Sequence, residues 1–181
     1  MRAGRAQTDL TAVFLDRDGV INRKAPEGDY VTRWDDFEFL PGAIEGLRLL
    51  ASSPLAIVVA TNQRGVALGR MTEIDLADIH TRMGQAVRGA GGRIDAIYHC
   101  PHDVGCRCRK PETGMFEDAA RDLGLRLGDT AVVGDSPSDM LAASRVGALA
   151  VLIGARPDGD ADYVAHDLAD AARWLLASTT D

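Results

Sequence analysis

The chain has 181 residues, 46% of them hydrophobic and 26% charged, which suits one soluble domain with its own core. No run approaches the about 20 apolar residues of a membrane span, and the basic start lacks the apolar stretch of a signal peptide, so we expect a cytoplasmic protein with no membrane partner. The net charge of −7 argues against nucleic acid as a partner, because that binding uses a basic face, but allows a small phosphorylated ligand held by a few local cations.

In chain order, residues 1–10 are expected to form a flexible tail, 11–177 a single domain, and 178–181 a second tail. The β-branched run at 11–15 reads as a buried strand. It ends in Asp16-Arg17-Asp18-Gly19, where the glycine signals a turn that brings two carboxylates near one point. Adjacent like charges raise each other's proton affinity. The pair therefore suits a hard cation with nucleophilic and acid–base chemistry beside it; the bland alternative is that Asp-x-Asp-Gly merely makes a turn. Pro41 is read as a first-turn proline, opening a helix with Ile44, Leu47 and Leu50 on one side.

Residues 55–60 form the second expected strand, followed by Thr61-Asn62-Gln63. Thr72 and Asp75 resemble a capping box for a helix that places Leu76, Ile79, Met83 and Val87 on one face. His80 on that helix is read as a packing or surface residue. A weaker strand spans 94–99, closed by His99, and a helix spans 113–123. The third clear strand, 130–133, runs into Gly134-Asp135. A helix at 138–146, a weaker strand at 149–153 and a helix at 168–176 complete the pattern. This alternation predicts an α/β fold, a doubly wound parallel sheet with helices on both faces. Ligands bind such sheets beyond the carboxyl ends of the strands, where Asp16, Asp18, Thr61 and Asp135 would converge.

All three cysteines fall within the segment 100–108, with His102 between them. Cys100, His102, Cys106 and Cys108 make a complete tetrahedral set for Zn²⁺ with no open position, so the expected site is structural. One disulfide plus a free thiol is the alternative. The loop runs directly into Arg109-Lys110, so a zinc clamp would fix where those two cations point.

Together these motifs resemble the haloacid-dehalogenase-type phosphatases along most of the chain. The resemblance implies a Rossmann-like fold with a short flap after the first strand and no large cap domain. It makes Asp16 the nucleophile toward phosphorus and Asp18 the general acid and base, with Thr61 and Lys110 holding phosphoryl oxygens. It implies Mg²⁺ on Asp16, the backbone carbonyl of Asp18, and Asp135, with Asp139 supporting them from behind. Taken singly, Thr61 would be a turn residue, Lys110 a solvated lysine and Asp139 an exposed acid at a helix start.

Within that superfamily, Cys-x-His…Cys-x-Cys-Arg-Lys-Pro resembles both heptose-bisphosphate phosphatases and histidinol-phosphatases. The runs from Asp16 to Asn22, Tyr30-Val31, Phe37 to Gly42, Thr61 to Ala67 and Arg109 to Met115 are similar to the heptose branch. That similarity implies release of the 7-phosphate of D-glycero-D-manno-heptose 1,7-bisphosphate through an aspartyl-phosphate, in nucleotide-activated heptose biosynthesis. It places Tyr30, Asn62, Gln63, Arg64 and Arg109 at the substrate, with the two arginines as forks for a second phosphate. The zinc loop is shorter than usual between His102 and Cys106, and 23–29 is longer. Alternatives are histidinol phosphate, another small sugar phosphate, a nucleic-acid 3′-phosphate, or a zinc-stabilised binding module without turnover. A monomer is expected.

Overall fold

The computed structural model describes residues 10–154 and 161–177. The expected tails therefore lie outside the described residues, except Leu10, which packs partly buried against the core.

Six strands, β1 (Ala12–Leu15), β2 (Ala56–Asn62), β3 (Ala96–Cys100), β4 (Thr130–Gly134), β5 (Leu149–Ile153) and β6 (Tyr163–Ala165), form one parallel sheet in the order β3-β2-β1-β4-β5-β6. The central strands are buried along both faces, which is why their sequences are continuous apolar runs. Successive side chains alternate between faces. Val13 and Leu15 join one core with helices α1 (Ala43–Ala51), α2 (Glu73–Gly89) and α5 (Leu168–Ala177). Phe14 joins the other with α3 (Gly114–Leu123) and α4 (Pro137–Val146), meeting Phe116 edge to face at 4.9 Å.

Several boundaries differ from expectation for local reasons. β2 runs on through Thr61 and Asn62, because β3 pairs with both, Thr61 with His99 and Asn62 with Cys100. β3 starts only at Ala96, since the side chain of Asp95 is turned back to accept from the Ile57 N–H at 2.7 Å. Pro41 lies ahead of α1 instead of in its first turn, with Gly42 as the capping residue at φ +77°. The sheet has a sixth strand that the sequence pattern did not suggest. Between β1 and α1 lies a flap whose base is a Trp34, Phe37 and Phe39 cluster packed on the core. Among the described residues no second folded unit covers the site, as the absence of a large cap requires.

Candidate active site

The strand order reverses between β1 and β4, and the candidate residues gather at that point. β4 still holds the chain as it leaves β1, with the Asp16 N–H donating to the Val133 carbonyl at 2.9 Å. The backbone then folds back, and the Arg17 carbonyl accepts from Ile21 and Asn22. Gly19 sits in that turn at φ +92°, and a Cβ there would lie 1.9 Å from an Asp135 carboxylate oxygen. Only glycine allows the loop to approach β4 so closely.

Lys110 is 4% exposed, so it is not a solvated surface lysine. Its Nζ lies 2.8 Å from Asp16 Oδ1 and 2.7 Å from Asp139 Oδ1, and donates to the Ala60 carbonyl at 2.7 Å. Burial disfavours the ammonium, but the two carboxylates outweigh it and raise the pKa to about 12. For Asp16 burial wins, with Lys110 opposing and Asp139 and Asp18 adding, and the pKa rises to about 6. The two partners shift in senses that differ in their consequence for the pair, because one ammonium serves two acids. Lys110 is charged at neutral pH, while Asp16 still lacks enough positive charge around it. Asp139 is fully buried, not an exposed helix-start acid: its other oxygen accepts from the Ser136 hydroxyl at 2.6 Å and caps α4.

Asp135 also has its pKa raised by burial, with Lys24 opposing. The flap residue Lys24 reaches in, placing Nζ 2.6 Å from Asp135 Oδ2. Asp135 Oδ1 is buried and accepts no hydrogen bond among the described residues. Carboxylate oxygens of Asp16, Asp135 and Asp139 lie within 4.8 Å of one another. Crowded, under-neutralised acids with an orphaned buried oxygen fit a hard, oxygen-seeking divalent cation.

Asp18 is set up differently. Burial would raise its pKa, but the charge of Arg17 and hydrogen bonds from Asn22, Arg17 and Gln63 hold it below the usual carboxylate range. The Asn22 amide donates at 2.9 Å and the Gln63 amide at 2.9 Å. Gln63 also donates to Thr61 Oγ1 at 2.8 Å, so it orients the general-acid candidate and the threonine together. The Asn62 carboxamide is committed to the backbone of Lys110, accepting from its N–H at 2.9 Å and donating to its carbonyl at 3.1 Å. Asn62 and Gln63 thus brace the other site residues in this structure.

Two buried residues escaped the sequence reading. Arg17 is 1% exposed and bridges Asp18, Gln63 and His80. His80, read above as packing or surface, is buried with a polar partner, its Nε2 3.2 Å from Arg17. The available signal was its position in the Leu76, Met83 and Val87 stripe of α2.

Cys100, His102, Cys106 and Cys108 converge without a disulfide. Cys108 Sγ lies 3.0 Å from Cys100 Sγ and 3.2 Å from His102 Nδ1, and Cys106 Sγ lies 3.5 Å from both other sulfurs. Burial pushes the Cys100 thiol up to about 12; at Cys106 burial is outweighed by hydrogen bonds, the Arg109 N–H foremost, and the thiol falls to about 6. A closed set of three sulfurs and one nitrogen fits tetrahedral Zn²⁺.

A cleft of about 350 Å³ opens over Asp18, lined also by Lys24, Tyr30, Asn62, Gln63 and Arg109. A larger groove of about 530 Å³ along the flap shares Lys24 and Tyr30 with this cleft but touches none of Asp16, Asp18, Thr61 and Lys110. Tyr30 and Arg109 thus line the cleft that opens over Asp18. Arg64 does not: it is paired with Asp103 of the cysteine loop at 2.5 Å, and is absent from the cleft lining.

A HAD-hydrolase-like family model matches residues 107–171. A D-glycero-β-D-manno-heptose-1,7-bisphosphate 7-phosphatase of Bordetella bronchiseptica is 37% identical over 180 residues, covering 92% of this chain and 98% of that protein. The chain belongs to the HAD-like heptose-bisphosphate phosphatase family. A D-glycero-α-D-manno-heptose-1,7-bisphosphate 7-phosphatase of Mycobacterium bovis is 44% identical over 143 residues, covering 76% of this chain and 74% of that one. A crystal structure of D,D-heptose 1,7-bisphosphate phosphatase from B. bronchiseptica, complexed with magnesium and phosphate, superposes with a TM-score of 0.83 at 36% identity, covering 93% of this chain and 99% of that one. Membership makes the chain a phosphatase. No described helix is long and apolar enough to cross a membrane.

Proposed function

We propose that this enzyme removes the 7-phosphate from D-glycero-D-manno-heptose 1,7-bisphosphate. The observation that carries the substrate is the identity to the Bordetella heptose bisphosphatase across 98% of that protein's length. The buried Asp16–Lys110–Asp139 cluster supports the chemistry. Asp16 attacks phosphorus: an Asp16 oxygen–phosphorus bond forms, the bond from phosphorus to the sugar oxygen breaks, and the leaving oxygen takes the proton of Asp18. Water then attacks the aspartyl-phosphate and gives a proton back to Asp18, freeing phosphate and Asp16. Asp18 starts with a depressed pKa, and an incoming anionic phosphate raises its proton affinity, moving it toward the acid this step requires.

Lys110 supplies its positive charge to the phosphoryl group from beside Asp16, the Thr61 hydroxyl donates to a phosphoryl oxygen, and Asn62 holds the Lys110 backbone where the ammonium meets Asp16. Asp16, Asp135 and the backbone carbonyl of Asp18 would hold Mg²⁺, with Asp139 keeping Lys110 in register. When bound, Mg²⁺ supplies the positive charge that lets a carboxylate approach a phosphate. Cys100, His102, Cys106 and Cys108 would hold Zn²⁺ as a structural ion, and the loop so fixed would hold Arg109 at the cleft to receive the distal phosphate.

Phosphate release from both anomers of heptose 1,7-bisphosphate, from histidinol phosphate and from a 3′-phosphorylated oligonucleotide tests this reading. We expect the bisphosphate to be preferred, with ³¹P NMR showing loss of the 7-phosphate. Faster release from either of the others would overturn it.

A further inference from the structure

Behind Asp18 lies a buried polar chain that the chemistry above leaves unused. The Arg17 guanidinium lies 3.0 Å from Asp18 Oδ2 and donates to Oδ1 at 3.1 Å, and its Nη2 also donates to Gln63 Oε1 at 3.2 Å. Its Nη1 meets His80 Nε2 at 3.2 Å. A guanidinium has only hydrogens to give, so His80 Nε2 is the acceptor and carries no hydrogen. His80 belongs to α2, held by the buried stripe of Leu76, Ile79, Met83 and Val87. On the far side its ring faces that of His99, with centroids 5.8 Å apart, and His99 Nε2 lies 2.9 Å from Glu73 Oε2.

Arginine is seldom fully buried unless each end of its fork is received. Here one end receives Asp18 and Gln63, which stand at the cleft, and the other receives His80, which stands on a rigid helix. The loop from Asp16 to Asn22 is thereby referenced to α2 through a single side chain. Packing alone would be served better by an apolar residue at position 80, because a buried imidazole that must stay neutral adds nothing to an apolar stripe.

We propose that His80 is a positioning residue for the proton transfer of Asp18: it fixes Arg17, and Arg17 fixes the carboxylate that faces the leaving oxygen. The inference rests on the phosphatase reading of Asp18. Protonation of the leaving oxygen matters when that oxygen is a poor leaving group, such as a sugar alkoxide. It matters little for a nitrophenolate, which departs without a proton. A defect in placing Asp18 therefore falls selectively on alkyl phosphates, whereas a merely structural defect falls on both.

The test uses His80→Gln and His80→Asn in the full-length, Mg²⁺-loaded enzyme. Glutamine can put a carboxamide oxygen near the original Nε2 position; asparagine is one methylene shorter and falls short of Arg17. The readout is the ratio of kcat/KM for the alkyl phosphate substrate to kcat/KM for p-nitrophenyl phosphate, which reports the first phosphoryl transfer. His80→Asn is expected to lower that ratio about tenfold, a part of the full effect of general acid catalysis, and His80→Gln to keep it near wild type. An unchanged ratio in His80→Asn, or a fall that His80→Gln does not rescue, would overturn the proposal. Because a ratio does not depend on the fraction of folded enzyme, a destabilised variant still gives the answer. If the wild type ignores heptose bisphosphate, the substrate assignment fails separately, and the ratio is read with whichever alkyl phosphate it hydrolyses.

Discussion

Lys110 shows how single residues set this site. An ammonium that is 4% exposed is tolerated because Asp16, Asp139 and the Ala60 carbonyl receive all it can donate. Lys24 plays a looser part: its half-exposed side chain lies on Asp135, which the family resemblance makes a metal ligand. A cation binding there must release Lys24. An ion pair of this exposure is worth about 0.5–1 kcal/mol, so Lys24→Met should tighten Mg²⁺ binding about two- to fivefold, as measured by calorimetry. Equal or weaker binding would contradict this. At this scale the sequence was most legible where chemistry is local. Asp16, Asp18 and the four zinc-ligand candidates announce themselves by spacing, while Arg17 and His80 do not, being 63 positions apart and meeting only once α2 is folded. Lys24 was equally hidden, since its reach depends on the path of the flap.

Among the elements, the cysteine loop links β3 to the two cations Arg109 and Lys110. It leaves the end of β3 and returns through Arg109 and Lys110, and the Gly114 N–H that opens α3 donates to the Arg107 carbonyl at 2.8 Å. The Gln63 N–H is bound to the Cys100 carbonyl at 2.8 Å, so the loop also steadies the residue that orients Asp18. Loss of the proposed zinc would loosen both. Cys108→Ala, or removal of zinc by a chelator followed by dialysis into Mg²⁺, is expected to lower kcat/KM at least tenfold and to reduce Tm, because catalytic placement is sensitive to shifts of an ångström. Full activity with an unchanged Tm in a zinc-free protein would contradict the structural role. The strands that deliver the site were legible for a physical reason: β1, β2 and β4 are buried on both faces and read as unbroken apolar runs. β6, three residues with only one central valine, carries too little pattern to be seen. The extension of β2 was hidden as well, because Thr61 and Asn62 are polar and become strand only through pairing with β3.

At the level of the whole molecule, the same buried histidine couples stability to pH. Burial, with the charge of Arg17 and the neighbouring His99 and against the pull of Asp18, lowers the His80 pKa from 6.5 to about 3. The unfolded chain takes up this proton as the pH falls below about 6.5, and the folded chain does so only near 3. Between those values the unfolded state binds more protons, so the contribution of His80 is complete above 6.5 and is lost as the pH falls. The difference in unfolding free energy between wild type and His80→Gln should be flat above about pH 7 and decline by up to about 1.4 kcal/mol per pH unit below it. Denaturant melts across that range check this, and parallel curves would contradict it. The global topology itself followed from alternation of strands and helices; the side on which the flap closes, and which of the arginines faces the cleft, did not. The sequence favours Arg109 over Arg64 only through its place beside Lys110, and the fold reveals that Asp103 occupies Arg64.

The most direct test of the central claim is rapid-quench mass spectrometry of the Mg²⁺-loaded enzyme during turnover of heptose 1,7-bisphosphate. The peptide carrying Asp16 should gain one phosphoryl group at that residue, and Asp16→Asn should lose both the adduct and turnover. A phosphoryl group on another side chain, or an Asp16→Asn enzyme that still releases phosphate, would contradict it.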